Sequence, residues 1–378
     1  YDPGRRFADT SGGAAVPLLF IAPAQYVQAP GALRRLGEFL LDLAGAEARV
    51  GVLITPGRRR ALFATVGESL QRAGLVMTDT TFAGESTRAE VARVTELFRA
   101  QGVTVTVGIG GGKCLDTARM AANRLGARVV TVPTTASTDA PTAAVSVIYR
   151  DDGVFAAVEY SRMNPLLVLA DETVLADAPP RYLAAGMGDA YSTYFEARCC
   201  MENPGARTGR GARPTMGALA IARQCRDQLL EHGVAALQEV RAGQPGSAFG
   251  RIVEANILLS GLGFESGGLA AAHAVAQGLT VCAELHKNFL HGELVAIGVM
   301  TQLVLEQRWT EVAEARTFLT AVGLPTHLGA LGFDAVQRAA ELDAIVAASL
   351  QVPFIHAEPE QVTPEKLRAA LLAIATVK

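Results

Sequence analysis

The chain has 378 residues, more than one hydrophobic core usually organises, so two domains are expected. Half of it is hydrophobic, enough to fill a large core. Only 19% is charged and the net charge is −3, which speaks against nucleic acid or an anionic membrane as its main partner.

In chain order, the first ~170 residues alternate short β-branched runs with helical stretches. Val50–Thr55 reads as a strand and Arg60–Ala73 as a helix. Leu75–Phe82 is a second strand and Arg88–Gln101 a second helix. Val103–Ile109, Leu115–Leu125 and Arg128–Val132 follow as strand, helix and strand. Ala144–Tyr149 and Val154–Tyr160 flank Arg150-Asp151-Asp152-Gly153, and Asp-Gly between two apolar runs predicts a hairpin. Leu166–Ala170 is a last strand. Such alternation implies an α/β domain with a parallel sheet, which binds ligands at the carboxyl ends of its strands.

After Asp171 helical periodicity takes over, placing the boundary near 171: residues 1–171 form the α/β domain and 172–378 an all-α domain. The helices expected there are Tyr182–Cys200, Thr215–His232, Phe249–Leu262, Gly268–Leu279, Glu293–Arg308, Val312–Val322, Phe333–Leu350 and Pro364–Ala375. Thr363 and Pro364 suit the N-cap and first position of the last one.

Two turns at strand ends carry polar chemistry. Gly108-Ile109-Gly110-Gly111-Gly112-Lys113 leads from a strand into a helix, where backbone N–H groups and the helix N-terminus suit a pyrophosphate. It is neither a G-x-G-x-x-G fingerprint nor a Walker A loop; the ordinary alternative is a plain glycine turn. The next strand ends in Pro133-Thr134-Thr135-Ala136-Ser137-Thr138-Asp139-Ala140-Pro141-Thr142. Its hydroxyls and carboxylate suit ribose, phosphate and substrate, or simply a capped polar loop.

In the helical half, Asp189, His273 and His291 each sit at or near a helix start or among small residues: Gly186-Met187-Gly188-Asp189, Ala270-Ala271-Ala272-His273, and His291-Gly292-Glu293. A carboxylate plus two imidazoles is a usual set for a catalytic divalent metal, with zinc favoured and iron a plausible substitute. A lone histidine on an apolar helix is more often a satisfied core residue. His232, His286, His327 and His356 lack such surroundings and read as structural or surface residues.

These stretches run in the order of a known family. With Pro23-Ala24-Gln25-Tyr26-Val27-Gln28, Leu115-Asp116-Thr117-Ala118, Ser146-Val147-Ile148-Tyr149, Phe195-Glu196-Ala197-Arg198, Glu254-Ala255-Asn256 and the run from Leu259 to His273, the chain resembles the glycerol dehydrogenases of the metal-dependent (iron-containing) alcohol dehydrogenase superfamily. The resemblance implies a Rossmann-like nucleotide domain, a helical metal domain and an active site in the cleft between them. It implies NAD-dependent oxidation of a vicinal diol such as glycerol to a hydroxyketone, by an enzyme that assembles as a homo-oligomer, dimer to octamer. Carried over by position, Asp189, His273 and His291 hold zinc, and Asp139 contacts the substrate with His273. Gly110, Gly111, Gly112, Lys113 and Asp116 bind the cofactor backbone, with Thr134, Thr135 and Ser137 nearby. Ala143, Val145 and Tyr149 line the nicotinamide side, and Phe264 borders the cleft.

The chain departs from the family in two places. The first strand ends Ile54-Thr55-Pro56-Gly57-Arg58-Arg59-Arg60, without the acid expected for the adenosine ribose, and an arginine cluster there would admit NADP(H) as well as, or instead of, NAD(H). One turn past His273, Ala276 replaces an imidazole, and Leu290 replaces a polar or aromatic neighbour of His291. Both changes favour a less hydroxylated substrate than glycerol. Competing readings are a sugar-phosphate cyclase resembling dehydroquinate synthase, a glycerol-1-phosphate dehydrogenase, and a cofactor-binding homologue without turnover. The first two need cations around the metal, and Lys287 is the only Lys or Arg between 270 and 300.

Five cysteines, with no Cys-x-x-Cys pair, read as reduced thiols used as small hydrophobes. Tyr1-Asp2-Pro3-Gly4-Arg5-Arg6 lacks the apolar stretch of a secretory leader, and no run reaches the ~18 apolar residues of a membrane span. A cytoplasmic protein acting on small molecules is the expectation.

Overall fold

The computed structural model describes residues 15–151, 153 and 155–375. The opening residues, and Asp152 and Val154 of the expected hairpin, lie outside the described ones. The described residues divide into two compact units, one spanning Ile21–Pro179 and the other running from Pro180 onward together with residues 15–20.

The first unit is built on β1 (Gln25–Ala29), β2 (Arg49–Ile54), β3 (Val76–Thr81), β4 (Val105–Gly110) and β5 (Arg128–Pro133). β6 (Val145–Tyr149) and β7 (Phe155–Tyr160) form a separate hairpin, and β8 (Leu167–Asp171) returns to the main sheet. That sheet has six strands in the order β1-β8-β5-β4-β2-β3, every neighbouring pair parallel. Its helices are α1 (Leu36–Ala44), α2 (Pro56–Arg72), α3 (Arg88–Ala100), α4 (Gly112–Leu125) and α5 (Glu172–Ala176). β4 and β8 are buried at every position. This is why they read as unbroken apolar runs rather than alternating ones: helices cover both faces of a parallel sheet.

β1 and α1 are missing from the sequence reading. The strand QYVQA is short, with glutamines at 25 and 28 that break the alternation of a strand, and a 3₁₀ turn at Ala32–Arg35 breaks the helical period before α1. What holds this corner is the buried Asp171 at the end of β8. Its carboxylate accepts the N–H groups of Gly31 at 2.9 Å and Leu33 at 2.8 Å, and it also caps α5 through Thr173 N–H at 3.0 Å. The first unit therefore continues through α5 to Pro179, past the change of periodicity at Asp171.

The second unit is helical: α6 (Pro180–Glu202), α7 (Met216–Arg241), α8 (Ser247–Glu254), α9 (Ser260–Gly267), α10 (Ala271–Leu279), α11 (Ala283–Asn288), α12 (His291–Leu305), α13 (Trp309–Ala321), α14 (Ala339–Gln351) and α15 (Pro364–Ala373). α6 is buried over most of its length and α12 from Gly292 to Val304; a helix apolar all round belongs in a core. The expected helices differ in places: the one read from Thr215 to His232 runs on to Arg241, and the one read from Phe333 begins only at Ala339. The stretch 249–262 is split by a π segment at Ala255–Leu259, and the helix expected from Gly268 begins only at Ala271, because Gly268 ends α9 at φ +100°. α15 starts as read, with the Thr363 hydroxyl accepting Lys366 N–H at 3.3 Å and Pro364 at the first position. All five cysteines are free and buried. Among the described residues no helix is long and apolar enough to cross a membrane.

Candidate active site

In the first unit, β4 and β5 run side by side in a register that pairs Gly110 with Pro133, so their polar turns are adjacent. A β-carbon on Gly110 would run into the Thr55 and Cys114 side chains, so only glycine lets the chain turn here into α4. Gly111 is the N-cap of α4. At Gly111 and Gly112 the nearest atoms to a β-carbon would be the Thr135 hydroxyl at 3.9 Å and the Thr138 hydroxyl at 3.8 Å. A glycine turn at a helix N-terminus, whose first N–H groups have no partner within the helix and which is edged by hydroxyls, is a fit for a dinucleotide phosphate. The Thr135 and Ser137 hydroxyls hydrogen-bond each other at 3.0 Å, while Thr134 is buried with its N–H given to the Gly110 carbonyl at 3.0 Å.

Lys113, half-exposed at the same turn, pairs with Glu85 at 2.7 Å and lies 4.6 Å from the Tyr149 ring centre. Burial and the neighbouring Asp116 and Glu85 carboxylates push the Tyr149 phenol up, so it stays protonated. Asp116 points the other way from the phosphate turn in its bonding. Its carboxylate takes Arg119 at 2.7 Å and the Val147 N–H at 2.9 Å. Arg119, fully buried, also donates to the carbonyls of Val145 at 2.7 Å and Ala140 at 2.5 Å. The pair thus ties β6, with Val145 and the adjoining buried Ala143, to α4. Asp139 is nearly buried in the turn between, and its carbonyl accepts the Thr142 hydroxyl at 3.0 Å.

The arginine cluster after β2 carries its own counter-charges. Arg59 pairs with Asp79 on β3 at 2.6 Å and stacks on Phe63 with 4.1 Å to the ring centre, and Arg58 faces Asp177 at 3.6 Å. Asp79, Glu85 and Arg119 were not singled out from the sequence, because each becomes relevant only through a partner on another strand or helix.

In the second unit, Asp189, His273 and His291 come together from α6, α10 and α12. Asp189 Oδ1 is 3.4 Å from His273 Nε2 and 3.3 Å from His291 Nε2, and the two rings stand 5.3 Å apart. Glycines permit this approach. A β-carbon at Gly188 would overlap the Gly292 carbonyl, and one at Gly292 would overlap the Ala185 carbonyl, so α6 and the start of α12 touch backbone to backbone beside Asp189 and His291. Arg181 in the first turn of α6 clamps the same contact, reaching Glu293 at 2.6 and 2.7 Å, while Glu293 caps α12 through Leu290 N–H at 2.7 Å.

Asp189 is 1% exposed, and burial alone would raise its pKa, but the two imidazoles outweigh it and hold the carboxylate well below its ordinary range. For His273 burial opposes the charge, yet Glu196 and Asp189 raise its pKa well above that of a free imidazole. A tetrahedral zinc with bonds of about 2.0–2.1 Å puts adjacent ligand atoms about 3.3–3.4 Å apart, which is the spacing seen here. One carboxylate and two imidazole nitrogens at that spacing fit a divalent cation with a position left for substrate. Phe264 is half-buried on α9 in the same unit. Ala276 is buried one turn after His273, and Leu290 is half-buried at the N-cap of α12.

A family model described as iron-containing alcohol dehydrogenase matches residues 27–179. The chain is 42% identical over 352 residues to the glycerol dehydrogenase of Escherichia coli, covering 93% of this chain and 95% of that protein. It is 44% identical over 354 residues to the glycerol dehydrogenase of Pseudomonas putida, with the same two shares covered. The crystal structure of glycerol dehydrogenase from Schizosaccharomyces pombe superposes with a TM-score of 0.90 at 32% identity, over 96% of this chain and 91% of that one. With such identity sustained along nearly its whole length, the chain belongs to the iron-containing alcohol dehydrogenase family and is an alcohol oxidoreductase.

Proposed function

We propose that the chain is a zinc-dependent, NAD(H)-linked dehydrogenase of a short 1,2-diol, glycerol or its less hydroxylated analogues, interconverting the secondary alcohol and the hydroxyketone. Iron is the alternative metal. The observation that carries this reading is the pair of 3.3 and 3.4 Å separations from Asp189 Oδ1 to the two imidazoles. The relatives' name, glycerol dehydrogenase, supports the substrate class.

When bound, the cation supplies Lewis acidity to the substrate hydroxyl, and the nicotinamide supplies the hydride acceptor. The chain does the rest. Asp189, His273 and His291 hold the cation. The N–H groups at Gly111 and Gly112 and the start of α4 hold the pyrophosphate, with Gly110, Thr134, Thr135 and Ser137 shaping the turn and Lys113 beside it. Ala143, Val145 and Tyr149 border the nicotinamide, and Asp139 and Phe264 orient the substrate. Asp116 acts at one remove, by fixing β6. NAD(H) rather than NADP(H) follows from Arg59: its charge is already taken by Asp79, leaving less for a 2′-phosphate. We expect a homo-oligomer between dimer and octamer, read by mass photometry, and a cytoplasmic location.

The experiment is a matrix of NAD and NADP against glycerol, propane-1,2-diol and dihydroxyacetone, before and after chelation and with zinc or iron restored. Reduced nicotinamide should form with the diols, vanish on chelation and return with metal. Turnover indifferent to chelation, or none with any pair, would overturn the reading.

A further inference from the structure

α10 carries His273, yet its N-cap is Ala270, which has no side chain able to accept a hydrogen bond. The N–H groups of its first turn, which have no partner within the helix, are met instead by side chains from elsewhere in the unit. Ala271 N–H goes to Glu358 at 3.1 Å and Ala272 N–H to Gln302 at 3.0 Å. Ala270 N–H and His273 N–H both go to Glu196 Oε1, at 2.8 and 3.0 Å. Glu196 alone also touches the imidazole: its Oε2 lies 2.6 Å from His273 Nδ1. Glu196 stands on α6 seven residues after Asp189, two helical turns along one face, and is fully buried. Between them Ser192 donates within reach of both, 2.8 Å from the Asp189 carbonyl and 3.1 Å from Glu196 Oε2.

We infer that Glu196 is the positioning residue of the metal centre: it holds the Nδ1 proton of His273, so that Nε2, beside Asp189 Oδ1, is the nitrogen offered to a cation. The inference rests on the metal-dependent reading above. A carboxylate oxygen can only accept, so Nδ1 must donate to it, and Nε2 is the nitrogen left to exchange its proton for a cation. Both Glu196 oxygens are committed, one to two backbone donors and the other to the ring, so the side chain cannot rotate without stranding buried N–H groups.

This assignment makes Glu196→Gln an informative change. Two backbone N–H groups require the amide oxygen at the Oε1 position. The amide NH₂ then faces Nδ1, which must become the acceptor, and the proton moves to Nε2, where it blocks ligation. Ser192 can accommodate the swap by turning its proton to the Asp189 carbonyl. The fold is therefore retained while the ligand is disabled. Glu358→Ala is the comparison: it removes a cap from the same helix turn without touching the imidazole.

The test is competition for zinc against a chelator of known affinity, with thermal unfolding of the metal-free proteins and ¹⁵N spectra of the histidine rings. The E196Q protein should bind zinc 10- to 100-fold more weakly, at a melting temperature near wild type, and its His273 Nδ1 should have lost the hydrogen that wild type carries there. The E358A protein should melt lower yet bind zinc with wild-type affinity. Wild-type affinity in E196Q, or an equal loss in E358A, overturns the role of Glu196 alone. A wild-type protein that takes up no divalent ion overturns the metal reading as well.

Discussion

Gly188 and Gly292 meet backbone to backbone, with no room for a β-carbon at Gly188 against the Gly292 carbonyl oxygen. Gly188 precedes Asp189 and Gly292 follows His291, so the closeness of α6 and α12 and the closeness of those two side chains are one fact. Gly292→Ala should destabilise the protein by about 3 kcal/mol or more, because the obstructing atom is the Ala185 backbone and cannot step aside. Denaturant unfolding measures it. A change below about 1 kcal/mol would show that the helices can part without cost.

Cofactor choice should turn on Asp79. With Arg59 held at 2.6 Å by this carboxylate, wild type should favour NAD(H) in kcat/KM. Asp79→Asn releases the guanidinium to a 2′-phosphate, and a charge-assisted hydrogen bond there should shift the NADP/NAD ratio about tenfold toward NADP. An unchanged ratio would remove Arg59 from the cofactor site.

Ala276 lies one turn past His273, on the same face of α10, and Leu290 precedes His291. Neither offers a hydrogen bond to a third hydroxyl. Propane-1,2-diol should therefore be turned over with higher kcat/KM than glycerol, and a substrate panel in which glycerol clearly wins would end that idea.

Stability should depend on pH through Glu358. Burial, then the Glu306 carboxylate, pushes its pKa from 4.5 up to about 8, against the opposing pull of the Ala271 N–H, with Cys199 and Glu196 the other titratable neighbours. The folded state thus keeps a proton that the unfolded chain has released. The stabilisation is fully present below about pH 4.5 and lost as pH rises to about 8, at up to about 1.4 kcal/mol per pH unit. Glu358→Gln keeps an acceptor for Ala271 N–H and removes the titration. The difference in unfolding free energy, wild type minus variant, should fall across that window and level off above it; a flat difference would place the Glu358 pKa near its ordinary value.

Much of this was legible beforehand. The β-branched runs and glycine punctuation located β2 to β5 within a few residues: β2, β4 and β5 are buried almost throughout and read as apolar runs, while the edge strand β3 shows through its β-branched threonines. Asp189, His273 and His291 announced themselves by small neighbours, which is how a sequence records close helix packing. Other parts were not legible. β1 and α1 carry too little periodicity, and the π segment leaves no mark in composition. Glu196 was visible only as part of a motif; its bonds to Ala270 and His273 join residues 74 and 77 positions apart. Asp79 likewise sits on β3 while the arginine it neutralises is on α2, so the run after β2 shows the arginines without their counter-charge.

The most direct test of the central claim is anomalous diffraction from zinc-soaked crystals. One strong peak bonded to an Asp189 oxygen and to Nε2 of both His273 and His291 is the expected result. A peak elsewhere, or none at that site in crystals soaked to saturation, would contradict it.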